Sequence, residues 1–89
     1  MSEQEILNLL KKNKFNAAKE LIEALLKSEK ENLTYMFYYG LILANERKYS
    51  DAISYFEKVL SADKNHFDSN FNMAGCYQGL LIYDKAIKY

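Results

Sequence analysis

Residues 48–53 read Lys48-Tyr49-Ser50-Asp51-Ala52-Ile53, and the chain repeats the phrase with variations at one fixed spacing to either side. Upstream stand Lys14-Phe15-Asn16-Ala17-Ala18, and downstream Tyr83-Asp84-Lys85-Ala86-Ile87. The same shift carries Tyr55 onto Tyr89, Glu23 onto Glu57, Leu26 onto Leu60 and Lys30 onto Lys64. One offset relates three segments without a gap. That is the mark of a repeat architecture, in which each unit buries its apolar face only by stacking on a neighbour.

The register has a physical meaning. Phe15, Tyr49 and Tyr83 place an aromatic ring at the start of every second helix. Asn16, Ser50 and Asp84 follow, and all three are residue types that cap helix N-termini, so they are the expected caps. Ala18, Ala52 and Ala86 come next, where a small side chain lets two helices approach. Gly40 and Ala74, also small, face them from the first helices and mark the crossing points. Ile6 takes that place in the first repeat, which predicts a wider first pair.

Working outward, apolar residues recur at helical spacing between short polar joints. Ser2 and Glu5 form an S-x-x-E capping box that opens the first helix. Polar joints lie at 11–14, 28–32, 45–48 and 63–65, which predicts a fifth helix over 67–80 and a sixth beginning at Tyr83. There is no proline and there are three glycines, so little else interrupts helix. Helices of this length joined by a few polar residues make antiparallel hairpins. The expected fold is all-α, a single domain over 1–89, with repeats near 2–32, 33–66 and a truncated 67–89.

Composition excludes several classes of function. Twelve basic residues balance twelve acidic ones, so no net field favours nucleic acid or an anionic membrane surface. Cys76 stands alone, which rules out an internal disulfide and fits a reducing compartment. The start is acidic rather than signal-like, and the longest apolar run, Tyr35 to Ala44, is about half a membrane span. A soluble, cytoplasmic protein is expected.

With these positions in place, the sequence resembles the tetratricopeptide repeat (TPR) family. The residues that carry the likeness are Met36, Tyr39, Gly40, Leu43, Tyr49, Ala52, Phe56 and Val59 in the middle repeat. Met73, Ala74, Tyr77, Tyr83 and Ala86 carry it in the third, and Leu9, Phe15, Ala18, Ile22 and Leu25 in the first. Asn70 replaces an expected bulky residue, and Lys30 and Lys64 replace the inter-repeat proline. The resemblance implies an α-α superhelix of two and a half to three hairpins, and a non-catalytic protein-binding scaffold with no cofactor.

Individual residues give little support to chemistry. His66, the only histidine, has no ligand set around it for a metal and reads as a solvated joint residue. Cys76 lies mid-helix among apolar residues and reads as a packed thiol. Glu20 with Glu23, and Asp51 with Glu57, lie on lysine-rich faces and read as solvated. No phosphate loop or nucleophile motif occurs.

Five consecutive large residues, Tyr35 to Tyr39, exceed what one helix face can bury. In TPR proteins the inner, concave surface is lined by first helices and takes peptides or partner helices. The matching residues are Leu7, Leu10 and Lys11 on the first helix, and Thr34, Phe37, Tyr38, Leu41 and Asn45 on the third. Asn72, Gly75 and Gln78 complete the set from the fifth. Some TPR proteins hold a partner's terminal carboxylate there, but Glu3, Leu7, Tyr38, Asp68 and Asn72 occupy the matching positions. The resemblance therefore implies an apolar or amphipathic partner. The alternative is that the rings only pack against the neighbouring repeat.

No polar capping helix follows the last repeat, which predicts an apolar end at Met73, Tyr77, Leu80, Leu81, Tyr83 and Ile87. Self-association through this end is one expectation. The N-terminal array of a longer enzyme (a transferase, for instance) is another, and a purely structural homo-oligomer a third.

Overall fold

The computed structural model describes the backbone of residues 2–88 and the side chains of 3–81. Five helices and no strand make up the described residues: α1 (Ser2–Lys11), α2 (Phe15–Ser28), α3 (Leu33–Asn45), α4 (Tyr49–Ala62) and α5 (Phe67–Lys88). The side chains of Ser2 and Ala86 fall outside the description, so the capping box and the third small-residue position do too.

The period of the repeat is written into the backbone itself. Asn13 and Arg47 are the positive-φ residues among those described, at 59° and 64°. Each ends a helix in a Schellman turn, in which the next N–H reaches back past the carbonyl an ordinary helix would use. Lys14 N–H donates to Leu9 O at 2.9 Å and Asn13 N–H to Leu10 O at 3.0 Å. Lys48 N–H donates to Leu43 O, and Arg47 N–H to Ala44 O, at the same two distances. The chain then re-enters helix directly. Lys14 and Lys48 have nearly identical dihedrals, and their carbonyls accept from Ala18 and Ala52 N–H at 3.0 Å.

That geometry corrects the expected caps. Asn16 and Ser50 lie inside the first turn of α2 and α4, while Lys14 and Lys48 hold the N-cap position without a side-chain bond. Asp84 lies within α5. The tight turn carries the chain from left-handed residue to helix in one step, leaving no extended residue beside Asn16 or Ser50. Side-chain caps occur at the other joints instead. Asn32 Oδ1 accepts from Tyr35 N–H, and one repeat later His66 Nδ1 accepts from Ser69 N–H, both at 3.1 Å. His66 is thus a half-buried cap rather than a solvated joint residue.

The expected sixth helix is absent as a separate element, because α5 runs unbroken from Phe67 to Lys88. Its physical reason lies in the turn. Leu81 stands one repeat after Arg47, where a left-handed residue would be needed. That conformation costs any residue with a β-carbon roughly 1–2 kcal/mol, at Leu81 as at Arg47, so the surrounding joint decides whether it forms. The polar joint is missing: Asn45-Glu46-Arg47-Lys48 has become Gly79-Leu80-Leu81-Ile82.

Two clusters form the core, with α3 between them. Ile6, Ala18, Ile22, Tyr35 and Ile42 make the first, and Leu43, Ala52, Ile53, Phe56 and Cys76 the second. Because α3 gives residues to both, it is apolar on nearly all sides, as a centrally buried helix should be. Gly40 and Ala52 bring α3 and α4 close, with the ring of Phe56 lying against Gly40. Tyr39 meets Tyr55 edge-on at 4.9 Å and donates to Glu23 Oε2 at 2.9 Å. Ile6 is fully buried, and α1 packs far more sparsely on α2 than α3 does on α4.

Candidate partner-binding groove

The inner faces of α1 and α3 meet at Tyr38. Its ring packs against the first core cluster, and its hydroxyl donates to Glu3 Oε1 of α1 at 3.1 Å. Burial raises the Tyr38 pKa, with further contributions from the Glu3 hydrogen bond and the charges of Glu3 and Asp68. Acids from α1 and α5 therefore flank a phenol from α3.

The neighbouring positions divide by exposure. Leu7, Leu10, Phe37, Leu41 and Asn72 are half-buried, whereas Lys11, Thr34 and Asn45 are exposed. Phe37 spends much of its ring inside the protein, 5.9 Å from Phe56 and 5.0 Å from His66 between centroids. Leu41 packs against the second cluster. Asn72 donates through Nδ2 to Asp68 O at 2.7 Å. Phe37 and Tyr38 are thus partly open and also packed between helices.

Gly75 and Gln78 extend the set further around α5. Both are exposed, and a β-carbon on Gly75 would meet nothing within 4 Å. At about 100° of turn per residue, Gln78 lies roughly 120° around α5 from Asn72. Gly75 lies between them, about 60° from Asn72.

The residues of the expected apolar end divide by exposure. Met73 and Leu80 are half-buried against the second cluster, on the same side of α5 as Cys76. Tyr77 and Leu81 are exposed, and the side chains of Tyr83 and Ile87 lie outside the described residues. Phe67 and Phe71 were missed, although they are 75% and 69% exposed and among the most open apolar side chains described. The repeat offset contained the signal, since it carries Phe37 onto Phe71.

Chemical groups are sparse. Among the described residues no three His, Cys, Asp or Glu side chains gather to hold a metal. Burial pushes the Cys76 thiol pKa up, away from the nucleophilic thiolate. Among the described residues no helix is long and apolar enough to cross a membrane.

No curated protein and no solved structure matches this chain. A family described as Tetratricopeptide repeat matches residues 4–67, which span α1 to α4 and the joint into α5. Repeats of that family generally mediate protein–protein interaction, typically as non-catalytic scaffolds. With matching joints at Asn13 and Arg47 and a match over well more than half of its length, the chain belongs to the tetratricopeptide repeat family.

Proposed function

We infer that this protein binds an amphipathic peptide or partner helix along the inner faces of α1 and α3, with Asn72 of α5 at the edge. The observation that carries this reading is Tyr38, half-buried and held between Glu3 and the field of Asp68. An apolar side chain of the ligand would lie over Leu7, Leu10 and the Tyr38 ring, all partly open. A lysine or arginine beside it would meet the two acids. Aromatic anchors with an adjoining charge commonly dominate such interfaces.

The test uses two fluorescent helical peptides with the same apolar face, one edged with lysine and the other with glutamate. The lysine-edged peptide binds at least about tenfold more tightly, a difference of about 1.4 kcal/mol. Thr34→Arg with Asn45→Arg, both at exposed positions, abolishes the binding while helicity is unchanged. Equal affinity for the two peptides, or binding unaffected by the double substitution, overturns the groove.

A further inference from the structure

α5 is apolar on two opposite sides. Ser69, Met73, Cys76 and Leu80 turn inward, while Phe67, Phe71, Ala74, Tyr77 and Leu81 are all exposed. The exposed residues fall within an arc of about 120° at about 100° per residue. A helix apolar all round is ordinarily covered on all sides. In α3 the matching positions Phe37, Gly40 and Leu43 face α4. Among the described residues no following helix comes back over α5, which continues unbroken to Lys88.

The outer stripe is symmetric about Ala74. Phe67 and Leu81 lie seven residues to either side, Asn70 and Gln78 four, and Phe71 and Tyr77 three. An antiparallel second helix centred on Ala74 would therefore set Phe67 on Leu81, amide on amide and ring on ring. At the centre, alanine meets alanine, and the small side chains let the helices approach. Every pair is matched in chemistry. Between Phe67 and Leu81 the one charged residue is Asp68, which lies off the stripe, so two copies do not repel.

From this symmetry we propose that the outer face of α5 is a homodimer interface, pairing two copies antiparallel about a two-fold axis at Ala74. Two copies of one surface related by a two-fold axis must be self-complementary, and this stripe is. The area also suffices. With Phe67 and Phe71 about 70% open and Tyr77 and Leu81 more than half open, each protomer offers roughly 500 Å². Pairing removes about 1,000 Å² from water, the lower limit for a specific interface. The groove reaches α5 at Asp68 and Asn72, which lie more than 100° around the helix from Ala74, so the dimer and the ligand do not compete.

The experiment is analytical ultracentrifugation of the full chain, with disulfide trapping as a register check. Wild-type protein should sediment at twice the 10.4 kDa chain mass at high concentration. Ala74→Arg adds a good helix former at an exposed site and brings two like charges together at the axis. It should raise the dissociation constant by about 100-fold or more with helicity intact. Under mild oxidation Ala74→Cys should form a covalent dimer, because cysteines at the axis lie within the roughly 7 Å reach of a disulfide. Gln78→Cys should not, since its two copies stand about 12 Å apart along the pair. Cys76, 2% exposed, does not contribute. A monomeric wild type, a dimer indifferent to Ala74→Arg, or trapping through position 78 instead of 74 overturns the proposal. A monomer whose α5 face is filled by a different protein counts against it equally.

Discussion

The ring of Phe56 covers Gly40 so closely that a β-carbon on Gly40 would fall 2.7 Å from Cε1 and 3.0 Å from Cζ. Phe56 is fully buried and cannot swing aside into water. Gly40→Ala should therefore destabilise the fold. Overpacking costs about 1–3 kcal/mol, and the better helix propensity of alanine returns at most about 1. Gly75→Ala has open space around it and should stabilise by about 0.5–1 kcal/mol. Urea unfolding of the two variants should give shifts of opposite sign.

Arg47 holds a left-handed backbone that costs a residue with a β-carbon roughly 1–2 kcal/mol. Replacing it with glycine should raise stability by up to about 1 kcal/mol after the greater freedom of the unfolded chain is counted. Asn13→Gly should gain less, because asparagine already tolerates this region. Equal gains at the two sites would contradict the argument.

His66 caps α5 through Nδ1 and lies edge-on to Phe37. His66→Ala should lose about 1 kcal/mol, the usual value of a cap. His66→Asn restores an acceptor but not the ring, and should recover most of that loss. Thermal melts decide between cap and ring: a loss of the same size in both variants would assign the effect to the ring.

Stability should fall toward both pH extremes through one polar seam between α2 and α3–α4. Lys19 Nζ donates to Glu46 Oε1 at 2.9 Å, which holds the Glu46 carboxyl below its ordinary value and the Lys19 ammonium above its own. The Glu46 contribution is present above the unfolded carboxyl pKa and disappears as pH falls through the lowered folded one. The Lys19 contribution is present below its unfolded pKa and disappears as pH rises through the raised one. Burial, and then the bond to Glu23, push Tyr39 up to about 12, so its contribution is lost from about pH 10 upward. In denaturation midpoints measured against pH, Lys19→Met should flatten the acid limb and Tyr39→Phe the alkaline one.

Ser69 is fully buried, and its Oγ makes no hydrogen bond. Ser69→Ala should stabilise by about 1–2 kcal/mol, removing an unpaired hydroxyl at the cost of little volume. A calorimetric midpoint lower than wild type would show that the hydroxyl has a partner.

Much of this fold was legible in the residues because repetition converts weak local signals into one strong offset. Gly40 and Ala52 were readable as a crossing point, since small side chains at helix contacts have few other uses. The caps were less so. Asn16 and Ser50 are good capping types, but the tight hydrogen-bonded turn before them leaves them two positions past the N-cap. His66 does an unusual residue's version of what Asn32 does, so only the offset from Asn32 could have revealed it. At the groove, Tyr38 was readable as an inner-face ring, whereas its bond to Glu3 depends on how α1 lies against α3. The inward side of Met73 and Leu80 depends on the straightness of α5, which the phrase at Tyr83 hides.

The unbroken course of α5 follows from the loss of one joint. Where the joint residue tolerates a left-handed twist, as Asn13 and Arg47 do, the chain doubles back and the array gains a layer. Leu81 stays in the helix, and α5 runs on without that turn. A molecule of this kind exchanges a further layer for a bare flank when one joint loses its polar residues and, with them, its left-handed step.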